Sequence, residues 1–207
     1  MKFGKRFNPS FVLTNYTRAA LLGLVLSLSL VYMLFVFSKS CNSLLLFNVG
    51  LVQTGIAVSL FTTLLTSLSK TRLASLRLGF IFSLISGFIL SLSTGYTFIE
   101  TYTRLNEPVS IKSYDALLAA ITVLAGNIFL IRLLFKIGMI KIKTGSVRLA
   151  FSNVLLISVI VCLASALMHI TGLYVIDTII GMIIGLPLLF VTAFIMLDAY
   201  WKLTELL

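Results

Sequence analysis

Acidic residues are scarce in this chain: its 207 residues contain six Asp and Glu against sixteen Lys and Arg, and charged residues make up 11% of the whole. An ordinary soluble domain carries about 25% charged residues. With 11%, a soluble protein of this size would have too few charged residues to cover its surface. Hydrophobic residues make up 59%, and apolar runs of about 20 residues, the length that crosses a bilayer, recur along the chain. The composition predicts an all-α integral membrane protein.

Cysteine and histidine are also rare, which limits the chemistry. Cys41 and Cys162 are far apart and match no metal-binding or redox spacing, so we expect free thiols. No pattern suggests a nucleophile with its base, a phosphate-binding loop or a haem ligand pair. The net charge of +10 can indicate nucleic acid binding, but the cations stand at the edges of apolar runs, as membrane topology requires. We expect no enzymatic activity, no cofactor and no nucleic acid partner.

Six apolar spans follow a basic cytoplasmic tail, residues 1–18, and form one domain, residues 19–201. The first run is long enough to remain as a spanning helix, unlike the short apolar core of a signal peptide. Ser113 or Asp115 can cap the fourth helix. The predicted spans are about 19–38, 44–69, 78–100, 116–137, 149–170 and 174–199, with residues 202–207 as a short C-terminal tail.

Cations are distributed unequally between the two sides of the predicted bundle. Four lie in the N-terminal tail, three between the second and third spans, five between the fourth and fifth, and one at the C-terminus. The three opposite connectors hold only Lys39, Arg104 and Lys112. One side of the bundle thus carries thirteen cations and the other three, and the positive-inside rule places the side with thirteen, including both termini, in the cytoplasm. We expect a multi-pass protein of the cell (plasma) membrane, with Cys41 accessible from outside.

Small residues recur at every fourth position of the third span, where they share one helix face. They let neighbouring backbones approach closely in lipid, so we interpret this row as the central packing ridge of the bundle. Leu90 lies off the row, and we expect it to face lipid or to make a loose contact. In the sixth span, Asp177, Gly181 and Gly185 also share a face. The row in the third span consists of Gly79, Ser83, Gly87, Ser91 and Gly95.

The polar residues inside the spans are mostly amides and hydroxyls. Hydrogen bonding across helix interfaces is one interpretation of them, and a polar pathway through the bundle is the other. Glu100, Asp177 and Asp198 lie near span ends, where structural roles are expected. His169 and Asp177 are a weak candidate for a peripheral metal site. The candidate pathway residues are Asn48, Gln53, Asn127, Ser152 and Asn153.

Several polar motifs follow one another in a definite order from Ser43 onward. They are Glu100 at the end of the third span, Arg104 and the turn at 106–109, Asn127 deep in the fourth span, Tyr174 and Asp177 at the start of the sixth, and DAYWKL at 198–203. This succession, which covers about four-fifths of the chain, resembles the membrane domain of the cation diffusion facilitators, the cation-efflux family.

The resemblance implies a six-helix bundle, usually dimeric, that exchanges a divalent metal such as zinc or manganese for protons. In that family, pairs of Asp or His four residues apart on the second and fifth spans bind the metal. The corresponding residues 48–56 and 151–156 of this chain include no Asp, Glu or His. Amides and hydroxyls bind zinc poorly and do not exchange protons near neutral pH. The family's cytoplasmic metal-binding domain, expected after the sixth span, is also missing from the sequence.

Two functions are therefore compatible with the sequence. The first is a non-catalytic structural or accessory subunit of a membrane assembly, which the missing ligands and the faces of small residues favour. Its partners would be the lipid bilayer and either other membrane protein subunits or a second copy of the chain. The alternative is a secondary transporter that exports a divalent metal cation or another solute, proton-coupled as in the family that the chain resembles.

Overall fold

The computed structural model describes residues 9–68, 72–107, 109–136 and 145–205, and over those residues it consists of six α-helices without strands. All six are long and apolar enough to cross a membrane. The chain is thus an all-α, multi-pass membrane protein built as a six-helix bundle. The helices are α1 (Pro9–Cys41), α2 (Leu44–Leu68), α3 (Arg72–Asn106), α4 (Ser113–Lys136), α5 (Gly145–Thr171) and α6 (Val175–Thr204).

Several helices extend beyond the predicted spans. α1 begins at Pro9, inside the predicted tail, and proline is well suited to the first position of a helix because it needs no N–H partner there. α3 has 35 residues, or about 52 Å, against roughly 30 Å of hydrocarbon to cross. α4 begins at Ser113, one of the two predicted caps. Of the predicted spans and tails, residues 1–8, 69, 137, 206 and 207 lie outside the described residues.

One end of the bundle carries the α1–α2, α3–α4 and α5–α6 connectors, and we call it the Asn42 end. A core cluster packs there among α1, α2, α4 and α5, with Leu34, Leu45, Val123 and Met168 fully buried. A second cluster, centred on Leu60 and Leu130, fills the opposite half of the bundle. The core thus lies mainly among α1, α2, α4 and α5.

α2 is the central helix of the bundle, so the expectation that the ridge on α3 is central is wrong. Over the described residues, α2 is the most buried helix and α3 the least. The reason is that α2 packs against α1, α3, α5 and α6, whereas α3 packs mainly against α6 and α2. α2 also has no ionisable side chain, so it can be enclosed without burying charge.

Two further expectations are corrected by burial. Leu90 is 6% exposed and therefore packs inside the bundle instead of facing lipid. Cys41 is the last residue of α1 and is fully buried in the core cluster of the Asn42 end, so it is not an accessible thiol. Both cysteines are free, and Cys162 is partly buried.

Candidate functional site

Asp177 connects α6 to the beginning of α2. Its side chain is fully buried. One carboxylate oxygen accepts a hydrogen bond of 2.5 Å from the Ser43 hydroxyl, and the other accepts bonds of 2.7 and 3.3 Å from the N–H groups of Leu44 and Leu45. The Ser43 hydroxyl oxygen in turn accepts from the N–H of Leu46 at 3.1 Å. Asp177 therefore satisfies helix N–H groups that lack intrahelical partners, where the helix dipole also favours negative charge.

The α1–α2 connector is held from other sides as well. Arg104 of α3 donates to the backbone carbonyl of Asn42 and forms an ion pair of 2.9 Å with Glu100. The N–H of Lys112 donates to the carbonyl of Cys41 at 3.2 Å. Asn42 itself has φ of 57°, a left-handed conformation that asparagine tolerates better than most residues. Together with Asp177, these contacts make the Asn42 end a closed, densely bonded region.

His169 has partners different from those of Asp177. Its Nδ1 lies 3.3 Å from the Ser113 hydroxyl, its ring lies 5.8 Å from that of Tyr114, and its side chain is exposed. Asp177 is fully buried against α2. Over the described ranges, no group of three or more His, Cys, Asp or Glu is placed to hold a metal ion. The contacts of these two residues are therefore those of helix packing.

Asn48 bonds α2 to α6 at the two glycines of α6. Its side-chain amide donates to the carbonyl of Gly181 at 2.8 Å. A Cβ added to Gly181 would lie 3.4 Å from both the Asn48 amide nitrogen and the backbone nitrogen of Leu45. At Gly185 a Cβ would meet the same amide at 3.6 Å and the Thr97 hydroxyl at 3.7 Å. These distances are ordinary van der Waals contacts, so α2 and α6 pack against each other at both glycines.

The other candidate pathway residues belong to different helix pairs. Gln53 of α2 donates to the Ser27 hydroxyl of α1 at 3.2 Å. Asn127 of α4 donates to the Ser158 hydroxyl of α5 at 2.9 Å. Ser152 and Asn153 lie on α5, but their side chains are outside the described residues. The amides of Asn48, Gln53 and Asn127 therefore bond at three separate interfaces.

The row of small residues on α3 is divided between neighbours. Gly87 packs so closely on α6 that an added Cβ would overlap Met196, and the Ser91 hydroxyl donates to that of Thr192 at 3.0 Å. A Cβ on Gly79 would instead meet Thr62 of α2 at 3.4 Å, while one on Gly95 would have no heavy atom within 4 Å. The middle of the row is thus the α3–α6 contact, and its Gly95 end is open.

A cleft of about 270 Å³ lies between α2, α3 and α6, on the side of the bundle away from the Asn42 end. Ser83 and Gly87 of the row line it, whereas Asn48, Gln53 and Asn127, the candidate pathway residues with described side chains, do not. Its hydroxyl groups bond to their own helices: Ser59 donates to the Gly55 carbonyl at 2.9 Å, and Ser83 to the Gly79 carbonyl at 2.9 Å. Besides Ser59, Ser83 and Gly87, the lining residues are Gly55, Val58, Thr62, Ser86, Leu90, Thr192 and Ile195.

Sequence reasoning did not find the partner of Asp177 or the cleft. A signal for the first was present, because Ser43 immediately before an apolar run is a typical helix N-cap, and Asp177 is an acid in the first turn of a helix. For the second, Gly55 and Ser59 repeat the spacing of four seen on α3. Neither pattern specifies which helices meet, since that depends on the packing of the whole bundle.

The fold defines the class of this protein as a six-helix, multi-pass membrane protein. No protein-family model matches the chain, and a comparison with curated proteins finds no match.

Proposed function

We propose that this chain is a non-catalytic accessory subunit of a membrane protein assembly, built on a bundle that resembles the membrane domain of the cation diffusion facilitators. The observation that supports this most strongly is the use of its buried amides. Asn48, Gln53 and Asn127 each donate to a partner on a different neighbouring helix. A polar pathway requires such groups to face a shared space, whereas these groups join helices in pairs.

The charges inside the bundle also favour a structural role. A divalent cation in a low-dielectric interior needs anionic or imidazole ligands to offset its desolvation. α2, where the family that the chain resembles holds half of its metal ligands, has no Asp, Glu or His between Leu44 and Leu68. Asp177 is already bonded to the beginning of α2. A metal ion between α2 and α5 would therefore lack charged ligands from α2, which favours the accessory function over metal transport.

α3 offers a surface for a partner subunit. It is the least buried helix over the described residues, and the space next to Gly95 is open. Ser91, one turn earlier, is bonded to α6. Since small residues allow close helix contacts in lipid, we propose that a helix of another subunit packs near Gly95.

Purification from the native membrane tests this function. After gentle solubilisation, native mass spectrometry should find the chain in a complex of fixed stoichiometry with other membrane proteins. Gly95→Leu should lower recovery of the partner without changing the thermal stability of the chain. Ala193→Leu, a matched change at an exposed position of α6, should leave recovery unchanged. Recovery only as a monomer or a homodimer in several mild detergents would contradict the proposal.

A secondary transporter is the alternative, and the cleft of about 270 Å³ within the bundle is the observation that favours it. The test is uptake of zinc, manganese and protons into vesicles that contain the purified protein. We expect no uptake above that of empty vesicles. If the unmodified chain shows uptake and Ser83→Phe, which fills the cleft, abolishes it, transport is the better proposal and the accessory function is rejected.

A further inference from the structure

We propose that the cleft between α2, α3 and α6 holds one acyl chain of an anionic phospholipid. The cleft occupies about 270 Å³ and is lined by side chains of all three helices. The proposal concerns lipid and not protein partners, so it stands or falls independently of the accessory function.

The walls of the cleft suit an apolar occupant. Its hydroxyl groups have already donated to backbone carbonyls of their own helices: Thr62 to Val58 at 2.9 Å, Ser86 to Ser83 at 3.2 Å, and Thr192 to Leu189 at 2.9 Å. None of the described residues that line the cleft has a charged or amide side chain. A polar solute would therefore lose its hydration without gaining hydrogen-bond donors or charges in return, whereas an acyl chain has no hydration to lose.

The opening of the cleft faces the membrane between α2 and α6. Of its lining residues, Ser59 of α2 and Ile195 of α6 are exposed. Elsewhere the helices meet: the rings of Phe61 and Phe82 join α2 to α3 with centroids 5.3 Å apart. Leu90, 6% exposed, bounds the cleft towards the Asn42 end. The cleft is thus accessible sideways from the hydrocarbon layer, where acyl chains are the surrounding medium.

The close approach of α2 and α3 beside the cleft favours a lipid chain over a protein helix. A Cβ added to Gly79 would lie 3.4 Å from the Thr62 side chain, and one added to Gly55 would lie 4.0 Å from that of Leu90. An α-helix with side chains is at least about 10 Å wide. A helix is therefore too wide to enter between α2 and α3, whereas an extended acyl chain is much thinner.

The charge around this half of the bundle selects an anionic headgroup. The topology predicted from the sequence assigns thirteen of the sixteen Lys and Arg to the side of the membrane opposite Asn42, with only two acids, Asp198 and Glu205. Asp198 is paired with Lys202 at 2.6 Å. The Asn42 end carries three cations and four acids. Basic clusters next to membrane helices attract anionic lipids, so we expect the lipid in the cleft to carry an anionic headgroup.

Native mass spectrometry of the full chain, released from vesicles of equal parts phosphatidylglycerol and phosphatidylcholine, tests the proposal. The unmodified chain should retain one phospholipid, and phosphatidylglycerol should exceed phosphatidylcholine about fivefold. Ser59→Phe, which places a ring in the mouth of the cleft, should lower retention about tenfold. Ser29→Phe is the matched control, because Ser29 is also exposed and also donates to its own helix at 2.9 Å.

Several results would overturn the proposal. Equal lipid retention by the Ser59→Phe and Ser29→Phe variants would show that the cleft is not the site. Equal retention of the two phospholipids would contradict the preference for an anionic headgroup. A dimer that Ser59→Phe disrupts and Ser29→Phe does not would show that a second copy of the chain occupies the cleft. A measurement on the unmodified chain guards against misfolding of the variants: adding salt before release should reduce the preference for phosphatidylglycerol, because salt screens the charges that cause it. A preference that salt leaves unchanged would also contradict the proposal.

Discussion

Asp177 carries the clearest prediction of the structure, because a single side chain satisfies three donors at the beginning of α2. Asp177→Ala removes all three hydrogen bonds. The Ser43 hydroxyl can rotate to another acceptor, but the N–H groups of Leu44 and Leu45 stay buried without a partner. Each such group costs roughly 1–3 kcal/mol, so we expect a loss of about 3 kcal/mol in the free energy of unfolding.

Asp177→Asn separates the role of the acceptor atoms from that of the charge. The amide carbonyl can still accept from both backbone N–H groups, and the amide is easier to bury than a carboxylate. What is lost is negative charge at a helix N-terminus, worth typically about 0.3–1 kcal/mol. We therefore expect Asp177→Asn to cost less than half as much as Asp177→Ala.

Thermal unfolding of the detergent-solubilised protein, followed by circular dichroism, measures these effects. For a chain of this size, about 3 kcal/mol corresponds to a decrease in Tm of roughly 6–12 °C. Asp198→Ala is the control, because the Asp198 side chain is 47% exposed and its ion pair with Lys202 lies on the helix surface, where such pairs contribute little. If Asp177→Ala and Asp198→Ala lower Tm equally, Asp177 does not stabilise the beginning of α2 as argued.

Two further predictions test the packing and the topology. Gly87→Leu should destabilise the protein by about 1–3 kcal/mol, because the new side chain overlaps α6. Gly95→Leu should have little effect on Tm. Equal Tm values for the two variants would contradict the close α3–α6 contact at Gly87. In a chain whose own cysteines are replaced by alanine, a membrane-impermeant thiol reagent should label Glu107→Cys in intact cells but Thr204→Cys only after lysis. The reverse order would invert the orientation predicted from the cations.

The six spans could be predicted because hydrocarbon thickness fixes the length of an apolar helix. α2 begins at Leu44 as expected, since Ser43 precedes an uninterrupted apolar run. The ends of α3 and α6 were not foreseen, because residues such as 101–106 are polar and continue the helix outside the apolar stretch. Hydropathy detects the part of a helix that lies in lipid and does not detect such extensions.

The site was harder to predict than the fold. The sequence shows that Asn48, Gln53 and Asn127 need partners, but the helices that supply those partners are fixed only by the packed bundle. Asp177 stands near a span end and suggests an interfacial role, yet the structure buries it completely. Its donors lie more than 130 positions earlier in the chain, and no local pattern connects residues so far apart.

The bond between Asp177 and the beginning of α2 has a consequence for biosynthesis. Asp177 follows Leu44 by 133 residues, which at about 5–20 residues per second is roughly 7–27 s of translation. Throughout that interval α2 can be inserted in the membrane while its first N–H groups have not yet met the carboxylate. The hydrogen bonds between Asp177 and the beginning of α2 can therefore form only after α6 has been synthesised and inserted. A chain that stalls or is cleaved before Asp177 presents an incomplete α2 terminus, which distinguishes it from the finished protein inside the membrane itself.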